Sequence, residues 1–267
     1  MDSKNPVFNR SKDFTPRGGY AQFDTPSASD LQDRFEAPAA TARDTGRMTL
    51  DDVVMRTAAM FAVLLTTAGF TYFGWQPTNL LPILGAALVG FVLAMVISFS
   101  KTVRPPLILA YAAVEGVFVG GISFFYASAF GGGIIAQAVL GTLCAFGSML
   151  VLYKTGVIKA SPRFTKILMI ALVGYLVFGA LNILLSAFNI GGWTNVYSGG
   201  GLFAIGISAF GVVLASLFLV LDFDFIEQGV RNGLPEQYAW TAAFGLVVTL
   251  VWLYLEILRL LAILRGD

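Results

Sequence analysis

The sequence predicts an all-α, polytopic membrane protein of seven transmembrane helices, and three observations carry that reading. Hydrophobic residues make up 57% of the chain and charged residues 12%, against roughly 45–50% and 25% in soluble domains. Seven apolar segments fill Val53 to Leu264. Nearly every Lys, Arg, Asp and Glu of that span falls between the segments rather than inside them. Each segment is about 20 residues long, enough to cross a hydrocarbon core of ~30 Å.

Residues 1–47 are polar, with seven basic and seven acidic residues and no helical periodicity. That composition buries no core and predicts a disordered tail, leaving 48–267 as the seven-helix domain. No charged-then-apolar leader with a small-residue cleavage site opens the chain, so the first span is expected to serve as an uncleaved anchor. Its start is legible in Thr49 as N-cap with Asp52 at the third helical position, a capping-box pattern, and in Met48, which is placed to staple onto Val53. Asp51 and Asp52 suit the positive end of the helix dipole. The predicted spans are Val53–Phe73, Leu80–Phe99, Leu107–Tyr126, Ile134–Tyr153, Ile167–Phe188, Leu202–Leu221 and Trp240–Leu264.

Lys and Arg alternate across these spans. Arg43, Arg47 and Arg56 lie at the start, Lys101 and Arg104 in the second loop, Lys154, Lys159, Arg163 and Lys166 around the fourth, and Arg231 in the sixth, while loops one, three and five hold none. The positive-inside rule then puts the N-terminus in the cytoplasm and the C-terminus outside a cell membrane, with Arg265 as the one dissenter. Gly131–Gly133 and Gly199–Gly201 read as outer turns, since no Lys-Ser/Thr or strand context makes either a phosphate loop.

Several function classes fall away. The chain has no histidine, so it has no Ser-His or Cys-His base pair, no His-based zinc site and no His proton relay, and a catalytic role is not expected. The last span lacks lysine and offers no amine for a Schiff base. A net charge of +1 and no basic cluster interleaved with aromatics argue against nucleic acid. The lone Cys144 has no intrachain disulfide partner and reads as a small buried hydrophobe. No cofactor is expected.

What remains is the acids inside the apolar spans. A charged side chain at bilayer depth costs roughly 2.5 kcal/mol or more, so it usually meets a partner, a cavity or an ion path. Glu115 and Glu256 each lie eight residues from a span end, about 12 Å at ~1.5 Å per residue, which places both near the midplane where they can meet if their helices run straight. Arg259, one turn beyond Glu256, can neutralise it as an i,i+3 pair. Gly116 and Gly120 give the third helix a small-xxx-small face, explained by packing alone. Asp222, Asp224 and Glu227 end the sixth span and either attract divalent cations at its cytoplasmic mouth or are simply solvated. Asn182 in the fifth span reads as interhelical glue before ion ligand.

The run Leu221-Asp222-Phe223, Ile226, Gly229, then Leu253-Tyr254-Leu255-Glu256 and Leu258-Arg259-Leu260-Leu261, resembles the C-terminal signature of the Bax inhibitor family, and Tyr111–Gly121 is similar to its third helix. The resemblance covers residues 51–264 and implies a central seventh helix surrounded by the other six. For bacterial members, in the inner membrane, it implies a pH-sensitive calcium leak in which an acid ending helix six faces an acid on helix seven, with a cation near the end of helix two as a latch. Asp222 matches the first acid. For the second, the Leu-Tyr-Leu motif selects Glu256 and the trailing Leu-Arg register selects Thr249, two turns earlier on one face. Asp222 with Glu256 would then be the calcium ligands, and Lys101 or Arg104 the latch.

Two classes of function follow. One is a proton-regulated cation pathway, for calcium or another cation, using Asp222, Glu256 and Glu115. The other is a non-transporting membrane protein that contacts a membrane-bound quality-control protease through its tail, as the resemblance also implies.

Overall fold

The computed structural model describes residues 27–29, 31, 32, 46–189 and 201–266. The chain divides into a first unit, Met1–Thr41, and a second, Ala42–Asp267. In the first, the described residues form a helical turn in which Leu31 N–H donates to the Ser27 carbonyl at 3.0 Å. The rest of the predicted tail lies outside the described residues, apart from Gly46 and Arg47. Among its described residues the second unit holds seven helices long and apolar enough to cross a membrane: α1 Leu50–Gly69, extended to Trp75 by a π-helical turn, α2 Leu81–Phe99, α3 Pro105–Phe130, α4 Gly133–Lys154, α5 Pro162–Ala187, α6 Gly201–Arg231 and α7 Tyr238–Gly266.

Local chemistry sets the helix starts. The expected capping box is present: Thr49 N–H donates to Asp52 Oδ2 at 2.9 Å and Asp52 N–H returns to Thr49 Oγ1 at 3.2 Å. Met48 and Val53 are both buried in the core. Just before the cap, Met48 N–H donates to Leu234 O at 2.7 Å and Glu236 N–H to Gly46 O at 2.9 Å, tying the α6–α7 turn to the start of α1. The Arg56–Glu236 ion pair, with Arg56 5.6 Å over the Trp240 ring, fastens the same corner. Proline opens α3 and α5 at positions whose N–H has no helical partner anyway. The π-turn at Phe70–Trp75 closes with Gln76 N–H on Thr71 O at 3.0 Å, a widening that hydropathy does not forecast.

The seventh helix is central. Sixteen of its residues are buried, against ten on α6, eight on α3 and two each on α2 and α5. Its backbone packs on α1, α3, α4 and α6, while α2 leans on α3 and α5 on α6, so the ring implied by the resemblance is uneven. The α1–α3 contact needs glycine: a Cβ on Gly120 would run into the Ala68 carbonyl, and one on Gly116 into that of Leu64. Packing therefore accounts for the small-xxx-small face.

Two expectations are corrected. The sixth helix continues to Arg231, ten residues past Leu221, because Phe223, Ile226 and Gly229 keep a buried stripe going beneath its three acids. Asp222 is thus inside a helix rather than at its end. Cys144 is exposed on α4 and not buried, on a helix whose Leu140 and Leu143 also face outward.

Candidate functional site

The α6–α7 turn is short, so the two helices run antiparallel, and a single register sets the buried Glu256 and the partly buried Asp222 against glycines. Asp222 lies beside Gly245, where a built Cβ would sit 3.8 Å from Asp222 Oδ1, and Glu256 lies beside Gly211, where a Cβ would come within 2.5 Å of Glu256 Oε2. Eleven residues separate the two positions on either helix, about 16 Å of helix. Asp222 and Glu256 are therefore not brought to one site as a calcium pair. The residue facing Asp222 from α7 is Thr249, the alternative that the Leu-Arg register selects.

Thr249 is buried beside the Asp222 carboxylate, and its hydroxyl donates to the Gly245 carbonyl at 3.2 Å. One hydroxyl proton cannot serve both acceptors. Donated to the carbonyl, it leaves a lone pair that suits a protonated Asp222; donated to a charged Asp222, it abandons the carbonyl. The other carboxylate oxygen, Oδ2, is buried with no hydrogen-bond partner among the described residues. An unsatisfied buried acceptor costs ~1–3 kcal/mol, more if charged, so its retention calls for a reason. Asp222 lines a cavity of about 300 Å³ whose walls include Ser98, Lys101, Arg104, Tyr238 and Thr241. Both candidate latch cations thus share a cavity with the helix-six acid, and Arg104 also donates to Thr102 Oγ1 at 3.3 Å.

The Glu256 end is built differently. Tyr175 OH donates to Glu256 Oε1 at 2.8 Å, Trp252 Nε1 to the same oxygen at 3.0 Å, and Arg259 pairs with Oε2. Arg259 also donates to Tyr175 OH, so the acid is fully engaged by α5 and α7. The i,i+3 pair expected from the sequence is present. Trp252, at i−4 on the same helix face, was equally readable; Tyr175 was not, because a lone hydroxyl in an apolar helix does not say where it points.

Glu115 stands apart from Glu256. Its Oε2 lies against Gly90 of α2, 2.9 Å from where a Cβ would be, and Tyr111 stands one turn before it on α3. The Tyr111 ring meets Phe244, a wall of the Asp222 cavity, edge-on at 5.0 Å. Asp224 accepts from Gln228 one turn on, and the exposed Glu227 from Tyr153 OH of α4, contacts that suit solvated helix-face charges. Asn182 is buried on α5 and has a partner. Among the described residues, no three His, Cys, Asp or Glu side chains converge on a metal-sized point. A single acid is far short of the six to eight oxygens of a dedicated calcium site, whereas conduction asks for weak binding.

A protein-family model described as Bax inhibitor 1 like matches residues 5–266. No curated protein matches the chain.

Proposed function

The chain belongs to the Bax inhibitor 1 like family, and on that footing we propose that it is a pH-regulated cation leak pathway, with calcium as favoured cargo and Asp222 as its gate. The observation that carries this reading is the buried, unpartnered Oδ2 of Asp222 beside a cavity that also contains Lys101 and Arg104. Charged, Asp222 draws in a cation or one of those two side chains. Protonated, it becomes a hydrogen-bond donor to Thr249 and releases both, so one proton biases a two-state seam. Glu115 is the next acid along, reached past the Tyr111–Phe244 ring pair. Glu256, paired with Arg259 and held by Tyr175, anchors α5 to α7.

Calcium flux into proteoliposomes between about pH 5 and 8 tests the gate. The parent should show pH-dependent flux and Asp222→Asn, fixed in the neutral form, a flat profile. No flux above empty liposomes, or the same profile in both, removes the pathway and leaves the reading as a partner of a membrane protease.

The loop charges support a cell-membrane orientation with the N-terminus cytoplasmic and the C-terminus outside. Arg265, the one contrary charge, holds the α3–α4 turn by donating to Phe130 O and Gln137 Oε1, both at 2.8 Å. In a Cys144→Ala background, an impermeant thiol reagent applied to intact cells should label Gly131→Cys and not Lys159→Cys. The reverse pattern would invert the topology.

A further inference from the structure

A second and larger cavity lies on the other side of α7 from the α6 seam. It is a groove of about 770 Å³ whose rims are α1 and α4 and whose floor is Val119 and Ser123 of α3 with Leu250, Val251 and Tyr254 of α7. The backbones of α1 and α4 do not approach each other among the described residues, so the central helix, covered elsewhere, has a slot open to the side. Both rims are spanning helices, and the medium beside the slot is therefore hydrocarbon. Leu65 and Phe73 on one rim and Val139 and Leu143 on the other are exposed at its mouth.

The polar atoms in the groove do not ask for a polar guest. Ser123 Oγ donates to Val119 O at 2.6 Å and lies 2.7 Å from Tyr254 OH, which leaves the tyrosine proton for the serine oxygen. Thr142 donates to Ala138 O at 2.8 Å. Three of the four hydroxyls in the lining are thus committed, Tyr72 on the α1 rim being the fourth, and the rest of the lining offers shape and dispersion, which selects an alkyl chain. Length selects one leaflet: the α1 wall from Phe61 to Phe73 covers thirteen residues, about 18 Å, against roughly half of a ~30 Å core. The groove begins at Gly132 in the α3–α4 turn, at the membrane surface, and runs down to Leu65 and Thr142 at mid-helix.

We propose that this groove seats one acyl chain of a bilayer phospholipid, inserted between α1 and α4 from the leaflet of the α3–α4 turn and resting on α7. The site is independent of any cation flux.

The test uses the full chain in phosphatidylcholine vesicles doped with a phosphatidylcholine that carries a photoreactive diazirine near the end of one acyl chain, with labelled residues mapped by peptide mass spectrometry. Val251 and Tyr254 on the floor should be labelled, as should Phe91 and Leu176 on the outer faces of α2 and α5. Val139→Trp and, separately, Leu143→Trp should lower the floor labelling several-fold and leave Phe91 and Leu176 unchanged, which also reports that each variant is folded. Val139→Leu should retain the floor label. Absence of label on Val251 and Tyr254 in the parent, or floor labelling that persists in both Trp variants, would overturn the proposal.

Discussion

At Gly211 the α6–α7 seam holds Glu256 with Arg259, Tyr175 and Trp252 all turned onto it; at Gly245 it holds Asp222 with Thr249 beside it and one oxygen left over. The two acids share a pair of helices, a register and a glycine opposite, yet one is saturated and the other is not. A buried charge with donors on both oxygens is a fixed point, and breaking it is costly. A partly buried acid with one buried oxygen left without a partner among the described residues lacks that anchoring. What separates the two acids is the number of partners each has among the described residues.

The comparison breaks most visibly at Arg259. Arg259→Leu leaves Glu256 buried without its cation and should destabilise the protein by about 3–5 kcal/mol. Thermal unfolding in detergent would read this as a large fall in midpoint, with Glu256→Leu/Arg259→Leu recovering most of it. An unchanged midpoint in Arg259→Leu would mean that Glu256 is no anchor.

The two glycines sharpen the contrast at smaller cost. Gly211→Ala drives a methyl to 2.5 Å from Glu256 Oε2 and 2.6 Å from Tyr175 OH, whereas Gly245→Ala meets Asp222 Oδ1 only at 3.8 Å. The first should cost about 1–3 kcal/mol, as overpacking does, and the second no more than about 0.5 kcal/mol. Equal losses in the same unfolding assay would show that the seam is equally tight at both ends.

The sequence made some of this contrast legible and hid the rest for physical reasons. Seven spans, the capping box at Thr49 and the Glu256–Arg259 pair all follow from local spacing, and local spacing is what a chain displays. Asp222 came from its motif, and Thr249 from one of two competing registers that only the α6–α7 packing separates. The end of α6 was misjudged because Asp222, Asp224 and Glu227 read as an exit from the membrane, while the buried stripe of Phe223, Ile226 and Gly229 continues on the opposite face. Cys144 was misjudged because in a bilayer an apolar neighbourhood is as compatible with lipid contact as with a core. Tyr175 was invisible, since its role depends on where α5 docks.

If Asp222 gates and Glu256 anchors, the pH profile of calcium flux in proteoliposomes separates the two acids most directly. Asp222→Asn and Glu256→Gln each remove one charge from the same seam. The account predicts that Asp222→Asn flattens the profile, while Glu256→Gln lowers stability and keeps the pH dependence of the parent. A flattened profile in Glu256→Gln together with an unaltered one in Asp222→Asn would contradict it.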